Sequence, residues 1–455
     1  MAGALGESDP RRSVPRTDTL LADPRLKHAA ATLGPQAVKL AVRSAQQQVR
    51  TGLAAPADAA DLALALLATA PVTLRPVVNA TGVVLHTNLG RAPLSAAAVE
   101  AMSRAAGYVD VEFDLEAGGR AGRGRTVKAA LLAAVPAAED VHIVNNGAAA
   151  LVLAACALAG GREIVVSRGE LVEIGDGFRI PDLLTAAGAV LREVGTTNRT
   201  HLRDYAEAIG PATGFILKIH PSNFRIEGFT SSVPVAELSG LGVPVVADIG
   251  SGLLGPHPLL PTEPDAGTWL SQGADVVTAS CDKLLGGPQA GLILGSGERV
   301  AEMRRHPMAR ALRVGKTTLA ALQATVGGHE TPVEAALTAD REVLRVRADA
   351  MSTALTSSGV QAETVASAGA VGGGSAPGVT LPGWAVRVPE QFAEPLRIGE
   401  PSIVGRVEHG FCLLDLRCVP AALDEQVCAA VLAAGRRAAG RPGRRPPELT
   451  AASCT

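Results

Sequence analysis

Aromatic residues are scarce in this chain, with 7 Phe, 2 Trp and 2 Tyr among 455 residues. That argues against a base-stacking platform of the RRM or OB type, which needs several exposed rings. Lysine is scarce beside arginine: of 42 basic residues only six are Lys, at 27, 39, 128, 218, 283 and 316, which leaves 36 Arg. Where arginine so dominates, a lysine in a glycine-rich setting is a candidate for amine chemistry. The six Cys, at 156, 281, 412, 418, 428 and 454, form no CxxC pair and no His/Cys cluster of zinc-finger spacing. Reduced thiols in a cytosol are therefore expected, and no metal site. The N-terminal MAGALGESDPRR lacks an apolar core of the secretory type. The longest apolar stretch, Ala148–Ala159, is far short of a membrane span. A soluble, cytoplasmic protein without a membrane partner is expected. A surplus of one charge is also missing: 42 − 44 gives −2, so contact with a nucleic acid must come from local patches.

The chain is 47% apolar and 19% charged, enough to bury a sizeable core in about two or three domains. Residues 1–70 read as a small helical unit: Pro10–Asp18 is a turn-rich lead, and 20–50 and 59–70 have helical apolar spacing. The first fifty residues carry eight Lys/Arg against four Asp/Glu, a balance of +4. This is either a solvated helix face or a patch for a polyanion. From Pro76 the texture changes. Apolar runs recur at 77–85, 141–147, 163–167, 189–194, 214–220, 243–252, 274–280 and 291–295, several of them separated by helical stretches such as 148–159 and 235–241. Continuous apolar strands alternating with helices predict an α/β domain over 71–330, with a mostly parallel sheet covered on both faces. Residues 331–440 read as a smaller α+β domain, with a helical run over 333–357, a Gly-rich turn at 371–378, strands at 384–388 and 411–419, and a helix over 423–439. The Arg-rich stretch 441–455 reads as a disordered tail.

Ligands in such folds collect at the carboxyl ends of strands. There the sequence places Lys283, in SCDKLLGGPQAG just past a buried strand. Burial would free its amine as a nucleophile, although a surface lysine in a loop fits equally well. Asp248 ends an apolar strand 35 residues earlier (283 − 248). It suits a cationic partner such as a pyridinium nitrogen, or else a helix cap or metal ligand. Asn145-Asn146-Gly147-Ala148 closes a strand and opens a helix, so free N–H groups await a phosphate there, and Ser280 could add a hydroxyl. Arg310 and Arg313, three apart, would share a helix face and suit an oxyanion. A solvated basic face is the other reading.

The order of phosphate turn, aspartate and lysine resembles a fold-type-I pyridoxal-phosphate enzyme. More closely, the chain resembles the bacterial selenocysteine synthase family, the L-seryl-tRNA(Sec) selenium transferases. The segments that carry the likeness are NATGVVLHTNLGRAPLS at 79–95, VNNGAAA at 144–150, SRGELVEIGDGFRIPDLL at 167–184, EVGTTNRTHLRDY at 193–205, KIHPSNFRIEGFT at 218–230, ADIGSG at 247–252, SCDKLLGGPQAG at 280–291, HPMARALRVGKTTLAALQATV at 306–326, GGGSAPG at 372–378 and GRVEHGFCLLDLRCV at 405–419. The lead SVPRTDTLL at 13–21 resembles the family's start, so the likeness runs from about 13 to about 435. Gly147 departs from it, standing where the family usually has a third Asn.

The resemblance implies that Lys283 carries pyridoxal 5′-phosphate and that Asp248 partners the ring nitrogen. It implies that Asn146, Gly147, Ala148 and Ser280 hold the phosphate, and that Arg91, Arg310 and Arg313 bind selenophosphate. The reaction implied is conversion of L-seryl-tRNA(Sec) to L-selenocysteinyl-tRNA(Sec), by loss of water and addition of selenium. The enzyme would be a homo-oligomer, a ring of dimers, with residues 1–70 docking the tRNA. Two alternatives stay open. One is a related pyridoxal-phosphate lyase acting on a free amino acid or amino sugar acid. The other is a catalytically silent tRNA-binding protein.

Overall fold

The structure, a computed structural model, describes residues 14–69, 74–175 and 177–439. The expected tail over 441–455 and the start of the lead, residues 10–13, lie outside them. The chain divides into two compact units, Met1–Pro76 and Val77–Thr455.

The first unit is helical. Helices Thr17–Leu21, Pro24–Leu33, Pro35–Arg50 and Ala59–Thr69 pack through Leu20, Leu26, Val38, Val42, Val49 and Ala63. Pro24 and Pro35 each open a helix, where a backbone N–H has no intrahelical partner to lose. Along Pro35–Arg50 the buried residues Val38, Val42, Ala45 and Val49 make one face. Lys39, Arg43 and Arg50 are exposed and fall on a common stripe at near-helical spacing.

The second unit contains two principal sheets. The main one has seven strands in the spatial order Asp140–Val144, Gly291–Gly295, Val276–Ser280, Val245–Ile249, Thr213–Ile219, Glu163–Ser167 and Val190–Val194. All neighbours are parallel except Gly291–Gly295, which is antiparallel to both of its partners. One reversed strand leaves Asp140–Val144 running with the rest, so the remaining strands share one carboxyl edge. This is the mostly parallel α/β arrangement that the apolar runs predict. Alternate residues of the strands feed opposite faces. Ile216, Val245 and Leu292 join Leu131 in one core. Leu217, Val246 and Ile293 join Leu153 in the other.

The second sheet has the order Val77–Ala80, Ser402–Glu408, Phe411–Asp415, Ser375–Pro389, Glu363–Gly372. Three features differ from the sequence reading. The run at 77–85 is not a strand of the large layer. Asn79 Oδ1 accepts from Thr81 N at 3.1 Å and from Thr81 Oγ1 at 2.7 Å, which turns the chain, and Val77–Ala80 pairs in parallel with Ser402–Glu408. The helical run at 333–357 is two helices, Pro332–Leu337 and Arg341–Ser357. Asp340 starts the second by accepting from Glu342 N at 2.7 Å and Val343 N at 3.0 Å. The Gly-rich turn at 371–378 is the tip of a hairpin whose strands run far beyond the segment 384–388.

Candidate functional site

Lys283 lies in a wound loop after Val276–Ser280. Cys281 N donates to Ala290 O and Gly287 N to Cys281 O, both at 2.9 Å, and Leu284 N donates to Ser251 O at 3.0 Å. Gly286, at φ +70°, permits the winding, and a side chain there would collide with Thr331. The Lys283 side chain is buried, and burial pushes its pKa below the usual lysine range while Asp248 pulls the other way. Its Nζ is 3.7 Å from where a Cβ on Gly250 would stand.

Asp248 lies in Val245–Ile249, fully inside the sheet. Its Oδ1 accepts from Thr278 Oγ1 at 2.5 Å. Burial raises its pKa, against the Thr278 hydrogen bond and the charges of Lys283 and His220. A buried carboxyl in that position favours a cationic partner. The same edge holds Ser251 Oγ, buried without a hydrogen-bond partner among the described residues.

The anion loop follows Asp140–Val144. Asn146 caps the helix Gly147–Ala154, its Oδ1 accepting from Ala149 N at 2.8 Å. Ala150 N donates to Asn146 O at 3.2 Å, so the N–H groups of Gly147 and Ala148 are the ones left for an anion. The Asn146 side chain therefore shapes the loop as a cap. Ser280 Oγ lies so near that a Cβ on Gly147 would stand 2.5 Å from it.

The three arginines divide. Arg91 is beside Lys283: its Nη1 pairs with Asp282 Oδ2 at 2.8 Å, and Ala92 N donates to Asp282 O at 3.3 Å. It holds φ +62°, a left-handed conformation rarely adopted by residues other than glycine. Arg310 and Arg313 do not share a helix face, because the helix Met308–Ala311 stops between them. The chain leaves the helix to pair with the anion loop: Asn145 N donates to Leu312 O at 3.1 Å and Arg313 bridges Val144. The Arg313 side chain meets Glu112 at 3.3 Å, and Arg123 meets the same carboxylate oxygen at 3.1 Å.

Beside this constellation is a cavity of about 910 Å³ that includes Glu170, Lys218, His220 and Glu263 in its wall but not Lys283 or Asp248. At its wall Lys218 Nζ donates to Glu170 Oε1 at 2.5 Å, and Ile219 N donates to Oε2 at 2.9 Å. His220 was legible as the polar residue that closes the apolar run 214–220. Glu263 was not, since a lone Glu between prolines has no motif around it.

The family model described as "L-seryl-tRNA selenium transferase" matches residues 77–420, and one described as "Selenocysteine synthase N terminal" matches 11–50. A protein named L-seryl-tRNA(Sec) selenium transferase from Moorella thermoacetica is 43% identical over an alignment covering 93% of this chain and 96% of its own. One of the same name from Geobacter sulfurreducens is 42% identical, covering 92% and 97%. Among solved structures, a D-glucosaminate-6-phosphate ammonia-lyase shares the fold at a TM-score of 0.57 and 22% identity, covering 81% of this chain and 98% of the other. With the model match spanning most of the chain, and the relatives aligned nearly end to end, this protein belongs to the L-seryl-tRNA selenium transferase family.

Proposed function

We propose that this protein is a selenium transferase acting on L-seryl-tRNA(Sec), with selenophosphate as donor and pyridoxal 5′-phosphate bound at Lys283. One observation carries the reading. In a chain of this family, a buried Lys283, a buried Asp248 and the anion loop at Gly147 lie along one carboxyl edge of the sheet, after Val276–Ser280, in Val245–Ile249 and after Asp140–Val144, with the reversed strand Gly291–Gly295 between the last and the other two. The donor set suits the cofactor: an amine whose pKa burial lowers, a carboxyl in want of a cation, and two N–H groups with a hydroxyl for a phosphate. When bound, pyridoxal phosphate supplies an electron sink for the charge that develops at the seryl α-carbon.

The chain's own residues divide the remaining work. Lys283 would hold the cofactor, and its Nζ, whose pKa burial lowers, would take the α-proton. Asp248 would partner the ring nitrogen and favour its protonated form. Gly147, Ala148 and Ser280 hold the phosphate. Arg91, Arg310 and Arg313 are proposed for the donor anion. The substrate is an ester without a free carboxylate, so no arginine is claimed by an amino-acid carboxyl group. Residues 1–70 are proposed to dock the tRNA, supported by the exposed stripe of Lys39, Arg43 and Arg50. The family resemblance adds a homo-oligomer.

The test is direct. The purified protein, given pyridoxal phosphate, seryl-tRNA(Sec) and selenophosphate, should yield selenocysteinyl-tRNA, and Lys283→Ala should yield none while remaining folded. Turnover of a free amino acid or amino sugar acid, with seryl-tRNA untouched, would replace the reading with the lyase. Binding of tRNA without turnover of any of these would leave the silent tRNA binder.

A further inference from the structure

Glu263 lies in the proline-rich segment 256–264, yet its side chain is only 2% exposed. Oε2 accepts the N–H of Ala376 at 3.0 Å. Oε1 faces His220 Nε2 at 3.4 Å, and neither of these two atoms has a hydrogen-bond partner among the described residues. Both neighbours lead to the Lys283 site. His220 N donates to Asp248 O at 3.2 Å. Ala376 follows the hairpin tip at 373–374, where a Cβ on Gly374 would stand 3.6 Å from Asn223 Cβ and 4.0 Å from Lys283 Nζ. Ala376 holds φ +47°, a conformation an alanine keeps only when its surroundings impose it. The hydrogen bond to Glu263 is such an imposition, and a buried carboxylate acceptor makes it a strong one.

We propose that Glu263 is a positioning residue of this site, pinning the 373–376 hairpin tip across the Lys283 amine and orienting the His220 ring beside Asp248. The proposal rests on the reading of Lys283 and Asp248 given above. Two substitutions separate its halves. Glu263→Gln keeps an oxygen for the Ala376 amide but removes the negative charge that faces His220. Glu263→Ala removes both and leaves a buried N–H without an acceptor.

The experiment compares the holoenzyme of wild type and both variants by amide hydrogen exchange, thermal unfolding and steady-state conversion of seryl-tRNA. In Glu263→Ala the exchange of the 373–376 segment should quicken by about tenfold or more, and in Glu263→Gln it should stay at the wild-type rate. The kcat should fall about 10- to 100-fold in Glu263→Ala and about 3- to 10-fold in Glu263→Gln, with KM held within about threefold. A purely structural role would lower the unfolding temperature and leave kcat of the folded enzyme intact. Unchanged hairpin exchange in Glu263→Ala, or kcat within about twofold of wild type in both variants, would overturn the proposal. Should Glu263→Ala fail to fold, Glu263→Gln decides alone, and an unchanged kcat there refutes it. Failure of the underlying reading is distinct, since wild type itself would then neither bind pyridoxal phosphate nor turn over.

Discussion

Replacing Gly147 by alanine isolates what that glycine does. Its backbone lies outside the left-handed region, so alanine is allowed there. Restricting the unfolded chain would by itself stabilise the fold by about 0.4–1 kcal/mol. The opposing effect is contact. The new Cβ would stand 2.5 Å from Ser280 Oγ, but at an ordinary 3.7 Å from Ser280 Cβ. A serine hydroxyl can turn away about χ1, so the clash displaces the hydroxyl and not the backbone. Stability should then change by less than about 1 kcal/mol, while the anion loop loses a donor. A hydrogen bond to a charged group is worth about 1.5–3 kcal/mol. At about 1.36 kcal/mol per decade, pyridoxal phosphate should bind about 10- to 150-fold more weakly. Ser280→Ala removes the same hydroxyl and should cost the same. The double variant should therefore bind no worse than Ser280→Ala alone, because both changes act through one group. Titration of the apoprotein followed by absorbance, with urea unfolding as control, measures each term. Additive losses in the double variant, or wild-type affinity in Gly147→Ala, would refute the reasoning.

Asp248→Asn should keep much of its cofactor but lose turnover by about 10²-fold or more, about 3 kcal/mol of barrier, measured as single-turnover conversion of seryl-tRNA. Deleting residues 1–70 should leave cofactor binding intact and abolish tight tRNA binding, and filter-binding affinity of the full chain should fall steeply with salt. His142 gives a pH dependence. Burial, with Arg304 and Lys128 repelling a proton and Asp140 attracting one, holds it at about 4 against 6.5 for a free histidine. Below about 6.5 the unfolded chain takes up a proton that the folded one refuses. Stability should thus fall between about pH 6.5 and pH 4, by at most about 1.4 kcal/mol per unit from this group, and urea unfolding of His142→Gln should show a shallower fall there.

The large layer was legible because its strands are written as unbroken apolar runs. Glu163–Ser167 and Gly291–Gly295 begin and end where those runs do. A strand buried on both faces needs such a run, and it is told from a buried helix such as Gly147–Ala154 by its shorter length and its β-branched residues. The second sheet was poorly legible for the converse reason. Glu363–Gly372 reads ETVASAGAVG, rich in Ala and Gly, and its burial alternates only from Ser367 onward. Its hold on the sheet comes from pairing with Ser375–Pro389, a tertiary effect that local propensity does not record. The site followed the same division. Lys283, Asp248 and Gly147 each end or follow a legible strand. Glu263 and Ala376 meet only because a proline-rich loop and the start of a hairpin strand, 113 residues apart, pack together.

The charges around Lys283 constrain what the arginines can do. Arg91 is already paired with Asp282, next in sequence to Lys283, so an anion there must share the guanidinium with a carboxylate or displace it. The left-handed backbone at Arg91 fits this position: the loop is bent to bring the side chain to Asp282, and Arg91 N donates to His86 O at 3.1 Å to close the bend. Arg313 is engaged differently, through Glu112, a carboxylate it shares with Arg123. One carboxylate between two guanidiniums leaves net positive charge beside the loop that carries Gly147. Arg310 is exposed and follows the same segment to that loop. Positive charge therefore flanks the anion loop from the 310–313 side, whereas beside Lys283 the Arg91 guanidinium is balanced by Asp282. On the proposed reading, that imbalance would draw a small, highly charged donor toward the loop side.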